Sequence, residues 1–127
     1  MGNLSNIQIG SIVLNMVEGI PSTISGATLW DMVDNEVYFA EQLTGDSIST
    51  STIANKYQPA IISLTVASVL RMMELQGADV SSIHLGDFSV SKGRGSSTET
   101  IAEKMVEDGI RKLEVLGNKI GYYKALG

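Results

Sequence analysis

The stretch Tyr57–Gln76 reads YQPAIISLTVASVLRMMELQ, and it decides the fold class of this chain. Proline fits the first turn of a helix, where a missing N–H costs nothing, so Pro59 predicts a helix start. Apolar residues follow on nearly every side, and Arg71 and Glu74 mark the one polar edge. A helix that is apolar all round must be covered all round. Because 127 residues can cover such a helix only in part, this stretch also suggests help from neighbouring subunits.

The preceding segment predicts an amphipathic helix. Ser25 is a suitable N-cap, and Gly45 after Thr44 fits the left-handed position that ends many helices. The apolar stripe follows i+3 and i+4 steps and consists of Leu29, Val33, Val37, Ala40 and Leu43.

Polar and aromatic side chains occupy the rest of this predicted helix. We expect a solvated outer face that carries Asp31, Asp34, Asn35 and Glu36. Trp30 and Tyr38 lie off the centre of the apolar stripe. They fit either the rim of a core or the anchors of a subunit interface, where large aromatic residues are enriched.

The N-terminal region is expected to be a mobile polar arm over residues 1–8, followed by a short helix. Ile9, Ile12, Val13 and Met16 have helical spacing, although a strand around Ile7 and Ile9 is the alternative. We therefore divide the single expected domain into an arm with a short helix (1–24), a core (25–117) and a C-terminal docking tail (118–127).

Residues 83–92 change to a period of two, with Gly86-Asp87 at the centre, which predicts a β-hairpin between the last two long helices. Its tip, Lys92-Gly93-Arg94-Gly95, is basic and glycine-rich. Ser96-x-x-Glu99 is a capping box that predicts the start of the last helix. The apolar stripe of that helix is Ala102, Val106, Gly109/Ile110, Leu113, Leu116 and Ile120. Its predicted i, i+4 ion pairs are Glu107–Arg111 and Asp108–Lys112.

Composition limits the possible functions. The chain contains 43% hydrophobic and 18% charged residues, which is typical of a globular domain. It has no cysteine, so disulfides and zinc–thiolate sites are excluded. The formal net charge is −5, and an acidic chain is poorly suited to gripping nucleic acid. No targeting segment is evident, and the apolar run 60–70 is shorter than the roughly 20 residues of a membrane span.

The residues that usually carry catalysis or bind cofactors are sparse. His84 is the one histidine, so neither a Ser–His–Asp set nor a second metal imidazole is available. Asp31, Asp34 and Glu36 lack the loop of a calcium site. Gly93-Arg94-Gly95 is a weak phosphate-loop signal without the P-loop pattern. We expect no enzyme activity, no cofactor and no metal.

Two motifs carry a resemblance. Tyr57-Gln58-Pro59-Ala60 opens the long apolar helix, and residues 85–93 read LGDFSVSKG before the capped final helix. In this order, over roughly residues 25–117, the chain resembles the head–tail connector (adaptor, or head-completion) proteins of long-tailed bacteriophages.

The resemblance implies a small, mainly helical virion structural protein that assembles beneath the portal, usually as a ring of twelve copies. The ring would extend the DNA channel, let DNA pass without sequence-specific binding, and offer the attachment site for the tail or a second connector ring. The chain would be made in the host cytoplasm and reside in the neck of the virion. An acidic channel would repel phosphate, and the candidates to line it are Asp31, Asp34, Glu103, Glu107 and Asp108.

The resemblance also gives contact roles to the hairpin and the tail. A ring needs two different sticky faces on each subunit. The expected subunit, portal or tail contacts are Phe88, Val90, Lys92, Arg94, Tyr122, Tyr123 and Leu126. The aromatic tail fits equally well as a segment docked on its own domain or inserted into a partner.

Two other classes remain open. A small acidic helical regulator would need a basic recognition helix, which the sequence does not show. A ligand-binding domain would need convergent polar groups in a pocket, and none can be named.

Overall fold

The structure is a computed structural model that describes residues 2–17, 19–77, 82–85, 88–91 and 98–116. These residues are mainly helical and form a small bundle, which confirms the predicted helical class. A 3₁₀ turn at Asn55–Tyr57 leads directly into the third helix. The helices in the described part are Asn6–Met16 (α1), Gly26–Thr44 (α2), Gln58–Leu75 (α3) and Thr98–Leu116 (α4).

Helix α3 lies at the centre of the bundle and contacts α1, α2 and α4. Ile61, Val66, Val69 and Leu70 are fully buried, and so is the polar Thr65. Helices α1, α2 and α4 cover most of α3, and Leu75 at its end is 86% exposed. Help from neighbouring subunits in covering this helix stays a prediction. Its polar edge lies where the sequence places it, since Arg71 and Glu74 are both exposed.

Two hydrophobic clusters fill the space around α3. The first joins Val13 of α1 and Leu29 of α2 to Met105 of α4. The second joins Ile9 and Val37 to the loop residue Ile53 and to Leu113 of α4, with Tyr57 at its edge. Because α1 contributes to both clusters, it belongs to the same packed unit as the three longer helices.

The expectation of a mobile arm over residues 1–8 was wrong. Leu4 and Ile53 exchange backbone hydrogen bonds of 3.0 and 2.7 Å, which fix the start of the chain against the loop after α2. The Ser5 hydroxyl then accepts a hydrogen bond from the Gln8 N–H, and the Gln8 side chain accepts one from the Ser5 N–H. This capping box starts α1 at Asn6, which also decides for the helix against a strand.

Helix α2 begins and ends where the sequence predicts. The Ser25 hydroxyl accepts a hydrogen bond from the Thr28 N–H at 3.2 Å, and Gly45 adopts a left-handed φ of 74° after Thr44. The prediction of a fully solvated outer face was wrong for Glu36. Its carboxylate is half-buried against α3 and accepts a hydrogen bond of 2.8 Å from the Ser68 hydroxyl.

Helix α4 packs along α3 through a glycine. A Cβ atom on Gly109 would lie 2.7 Å from the Leu64 Cγ and 3.1 Å from the Ala60 carbonyl oxygen, closer than packed carbon atoms come. Ile101 and Met105 are also buried, so the core-facing stripe is wider than the predicted one. Ser96 of the predicted capping box and Ile120 of the predicted stripe lie outside the described residues.

One of the two predicted ion pairs of α4 is confirmed. The Lys112 ammonium lies 2.8 Å from the Asp108 carboxylate. Arg111 was expected to pair with Glu107, but its guanidinium lies 3.9 Å from Asp108 instead.

Two short backbone segments between α3 and α4, Ser82–Leu85 (β1) and Phe88–Ser91 (β2), run antiparallel. Ile83 is opposite Val90 in this register. Residues 86–87, at the predicted turn, and 92–97, which include the basic tip, lie outside the described residues. The hairpin as a contact element therefore stays a prediction.

Candidate interaction surfaces

The predicted contact residues fall mostly where the structure makes no statement. Phe88 and Val90 belong to β2, for which the backbone is described. The other five lie outside the described residues: Lys92, Arg94, Tyr122, Tyr123 and Leu126. The contact role of all seven residues stays a prediction.

A groove opens beside the entry to α3 and the last turn of α4. Its volume is about 290 Å³. Val115 is 82% exposed, although its side chain is apolar. The groove therefore combines an apolar floor with two cations, and its lining residues are Lys56, Pro59, Lys112, Val115 and Leu116.

The close approach of α3 and α4 positions this groove. Gly109 lies against Ala60 and Leu64, and Pro59 is the neighbour of Ala60 at the start of α3. Leu113, one turn after Gly109, is fully buried in the second cluster. Val115 lies off this buried line, so the last turn of α4 presents it outward beside Pro59.

The two lysines at the groove have different environments. The Lys112 ammonium is held by Asp108, whose carboxylate also accepts a hydrogen bond of 2.8 Å from the Ser63 hydroxyl. Burial would raise the pKa of Asp108, but the hydrogen bonds from Lys112 and Ser63 outweigh it and hold the pKa below its usual value. The Lys56 ammonium lies 5.1 Å from the centroid of the Tyr57 ring and ion-pairs with none of the described carboxylates.

Tyr57 anchors the same corner from within the core. Its hydroxyl donates a hydrogen bond of 2.6 Å to Asp46, in the loop after α2. Burial, together with that carboxylate, raises the pKa of Tyr57 to about 12, so the hydroxyl keeps its proton at any physiological pH. The Gln58 amide donates to the carbonyl oxygens of Ile53 and Gly2, which fixes the loop against the entry to α3.

The outer surface of α2 has the opposite charge. We call Asp31, Asn35, Tyr38 and Gln42 the acidic face: they are exposed and share one side of the helix at i+3 and i+4 steps, and Asp31 is the one charged residue among them. The Tyr38 side chain is 64% exposed. Neither α2 nor any other part of residues 1–55 contains a lysine or arginine. A basic partner surface would complement the charge of this face.

Trp30 lies beside the acidic face but is held by its own chain. Its indole ring packs against Gly10 of α1 and Gly26 at the start of α2. A Cβ atom added at these glycines would lie 3.2 and 3.4 Å from the ring. The ring therefore covers two glycines and stays 37% exposed. Ile7 and Leu14 of α1 are also about half exposed, so the edge between α1 and α2 has apolar surface.

A polar network joins α2, α3 and α4 on another side. Burial raises the pKa of Glu36, although the Ser68 hydroxyl and the nearby Arg71 charge act against that rise. Arg71 donates hydrogen bonds of 3.2 and 2.9 Å to the two carboxylate oxygens of Glu99. These bonds lower the pKa of Glu99 and raise that of Arg71. The network ties the start of α4 to the end of α3.

The carboxylates that a metal site would need accept hydrogen bonds from other side chains or lie far from one another. Asp34 accepts a hydrogen bond of 2.9 Å from the Asn6 amide, and Glu36 from Ser68. Within the described ranges, no group of three or more His, Cys, Asp or Glu side chains could hold a metal ion. His84 lies in β1. Among the described helices, none has the length and apolar character that a membrane span requires.

Comparison of the chain with protein-family models, curated proteins and solved structures gave no match. The resemblance to phage connector proteins therefore stays a prediction from sequence motifs.

Sequence reasoning did not find the groove. Two signals for it were present: Val115 is an apolar residue off the stripe of α4, and Lys56 precedes the proline that opens α3. What the sequence could not supply is the proximity of these two segments, which depends on the packing of Gly109 against α3.

Proposed function

We propose that this chain is a head–tail connector protein of a long-tailed bacteriophage. It acts as one subunit of a ring beneath the portal, usually of twelve copies in the proteins it resembles. The ring extends the DNA channel and provides the attachment site for the tail or for a second connector ring. Its work is mechanical and interfacial, with neither a bond-making step nor a cofactor.

The observation that carries the proposal is the pair of unlike surfaces on one small helical bundle. The groove has an apolar floor and two lysines, whereas the acidic face has no cation near it in sequence. Rings are built from head-to-tail contacts, in which two different surfaces of each subunit meet. A subunit with two complementary surfaces suits that assembly better than a monomer whose apolar residues serve the core alone.

The described side chains also narrow the choice of acids for the channel wall. Asp108 is paired with Lys112, so its charge is partly neutralised within the subunit, and the Asp34 carboxylate is held toward α1 by the Asn6 amide. Glu103 and Glu107 are exposed and lie one turn apart on α4. We assign these two glutamates to the channel, where they would repel DNA phosphate within a Debye length of about 8–10 Å.

In this proposal the contacts with the portal and the phage tail, along the axis of the ring, are made by two segments: the one between α3 and α4, and the C-terminal tail of the chain. The hairpin with its basic tip, Lys92 and Arg94, meets the portal or the tail, and Phe88 and Val90 supply apolar contact. Tyr122, Tyr123 and Leu126 insert into the portal. Antiparallel strands of four residues are marginal alone and gain stability from a partner surface, which favours a docking role.

The experiment is deletion of the gene in the source virus, followed by electron microscopy of the lysate. The proposal expects DNA-filled or leaking heads beside free tails, and joined particles again after complementation with the wild-type gene. Normally joined particles in the deletion strain would contradict it. Salt-dependent DNA binding by the purified chain would then favour a regulator, and a ligand-induced rise in melting temperature would favour a ligand-binding domain.

A further inference from the structure

We propose that the groove receives the acidic face of a second copy of this chain, and that this contact joins successive subunits head to tail. The inference rests on the proposed function, since it names the interface through which the ring would close. It uses described residues alone and is independent of the hairpin and the tail.

Charge selects the occupant of the groove. Lys56 ion-pairs with none of the described carboxylates, and Lys112 lies at the groove beside its partner Asp108. The acidic face contributes Asp31, and no lysine or arginine occurs in residues 1–55 to offset it. Opposite potentials across an interface steer association and fix its register, so the two surfaces suit each other.

Tyr38 provides the apolar part of the contact. Its ring is 64% exposed at the middle of the acidic face, and the groove offers Pro59, Val115 and Leu116 as an apolar floor. Tyrosine is favoured as an interface anchor because the ring buries apolar area while the hydroxyl stays hydrated. A cation near the ring, such as Lys56, adds a favourable cation–π contact.

The same charges exclude the other occupants that this chain could supply. A two-fold contact centred on one surface would bring two grooves or two acidic faces together, and like charges would oppose each other. A reciprocal two-fold contact, in which each groove takes the other copy's acidic face, would stop at a dimer, whereas the head-to-tail contact continues to assemblies larger than two. The chain's own C-terminal residues 117–127 contain Lys119 and Lys124 and no acidic side chain, so they match the acidic face better than the groove. The acidic face of a second copy is the complementary choice.

The test uses two variants that each disable one surface. Val115→Asp places a negative charge in the groove, and Tyr38→Ala removes the anchor from the acidic face. Both side chains are well exposed, so both variants should fold and melt like the wild type. By sedimentation velocity over a concentration series, we expect the wild type to associate, and each variant to associate at least about tenfold more weakly. Raised salt should weaken the wild-type association.

Mixing the two variants gives the decisive measurement. Tyr38→Ala keeps an intact groove and Val115→Asp keeps an intact acidic face, so an equimolar mixture should form dimers and stop there. Leu75→Asp is the matched control, because Leu75 is 86% exposed at the end of α3 and lines no part of the groove. It should associate like the wild type.

Three results would overturn the proposal: a wild type that stays monomeric throughout, a single variant that associates like the wild type, or a mixture that stays monomeric. These readouts use purified protein, so they are separate from the gene deletion. If deletion blocks head–tail joining but the Val115→Asp virus makes normal particles, the connector function stands and this interface is wrong.

Discussion

At the scale of single residues, Gly109 sets the distance between α3 and α4. Because glycine has no side chain, α3 can pack close to this position. A Cβ atom placed on Gly109 would lie 2.7 Å from the Leu64 Cγ and 3.1 Å from the Ala60 carbonyl oxygen. Gly109→Ala must therefore push the two helices apart. Even after a helix-propensity gain of roughly 1 kcal/mol, we expect the free energy of unfolding to fall by about 1–2 kcal/mol in urea denaturation.

Gly26→Ala is the matched control for this substitution. The nearest side-chain atom to its added Cβ is the Trp30 Cζ2 at 3.4 Å, an ordinary van der Waals distance. Its free energy of unfolding should stay close to that of the wild type. If Gly109→Ala is as stable as Gly26→Ala, the close packing of α3 on α4 is incorrect.

Glu36 gives the second prediction at the residue scale, through the pH dependence of stability. Burial raises its pKa in the folded state above the ordinary value of 4.5, and the unfolded chain keeps the lower pKa. Between these two pKa values the folded state binds more protons, so this group's contribution to stability falls as the pH rises. Above the raised pKa the contribution is constant.

Glu36→Gln removes this titration but keeps an oxygen that can accept the Ser68 hydrogen bond. Thermal unfolding from pH 4.5 upward should show a smaller loss of melting temperature with rising pH in the variant than in the wild type. Glu103→Gln, an exposed change on α4, is the control and should leave the profile unchanged. Parallel profiles for the wild type and Glu36→Gln would show that Glu36 is not held in the buried position.

At the scale of secondary-structure elements, α3 supplies an internal comparison between a buried and an exposed position. Val66 is fully buried among the other helices, and Leu75 is 86% exposed at the end of the same helix. An unpaired carboxylate in an apolar core costs several kcal/mol, a large part of the stability of a small domain. Val66→Asp should be unfolded or insoluble by circular dichroism, whereas Leu75→Asp should fold. A soluble, fully helical Val66→Asp protein would refute the central placement of α3.

The elements that the sequence predicted well are those with local chemical signals. Ser25 and Gly45 mark the two ends of α2, and Pro59 lies in the first turn of α3. Each of these residues acts through its own side chain or backbone conformation, within one helical turn. Their effect can therefore be recognised without knowing which other helix lies nearby.

What the sequence missed depends on contacts between distant parts of the chain. Leu4 exchanges backbone hydrogen bonds with Ile53, and the Glu36 carboxylate accepts a hydrogen bond from Ser68. Nothing in the neighbouring sequence distinguishes Leu4 or Glu36 from a solvated residue. Ile101 and Met105 widen the buried stripe of α4 because α4 meets α3 and α2 together. The candidate site follows the same rule, since the groove combines Lys56 and Val115 across 59 positions of sequence.

At the scale of the whole molecule, the hydrophobic clusters of the described residues extend from Leu4 to Leu116 of α4. We expect this packed unit to be stable by itself, so that a chain lacking Tyr122–Gly127 keeps its helical content and melting temperature. In the proposed ring, the same truncation should weaken docking onto portal assemblies, measured by co-sedimentation. A full-length Tyr122→Ser, Tyr123→Ser double mutant separates the contribution of the two tyrosine side chains from that of the length of the tail. Unfolding of the truncated chain would show that the tail belongs to the core.

The charge of the exposed side of α4 tests the channel assignment at the same scale. Glu103 and Glu107 flank Lys104 on a helix that also exposes Arg111. With the glutamates present, we expect no binding to duplex DNA in fluorescence anisotropy at about 0.15 M salt, where the Debye length is about 8 Å. Glu103→Lys, Glu107→Lys should create weak binding that falls steeply with salt, because each phosphate contact releases counterions. The neutral pair Glu103→Gln, Glu107→Gln is the control and should bind far less. Salt-dependent DNA binding by the wild type would contradict the assignment of these glutamates to the channel, since the acidic surface would then fail to repel phosphate.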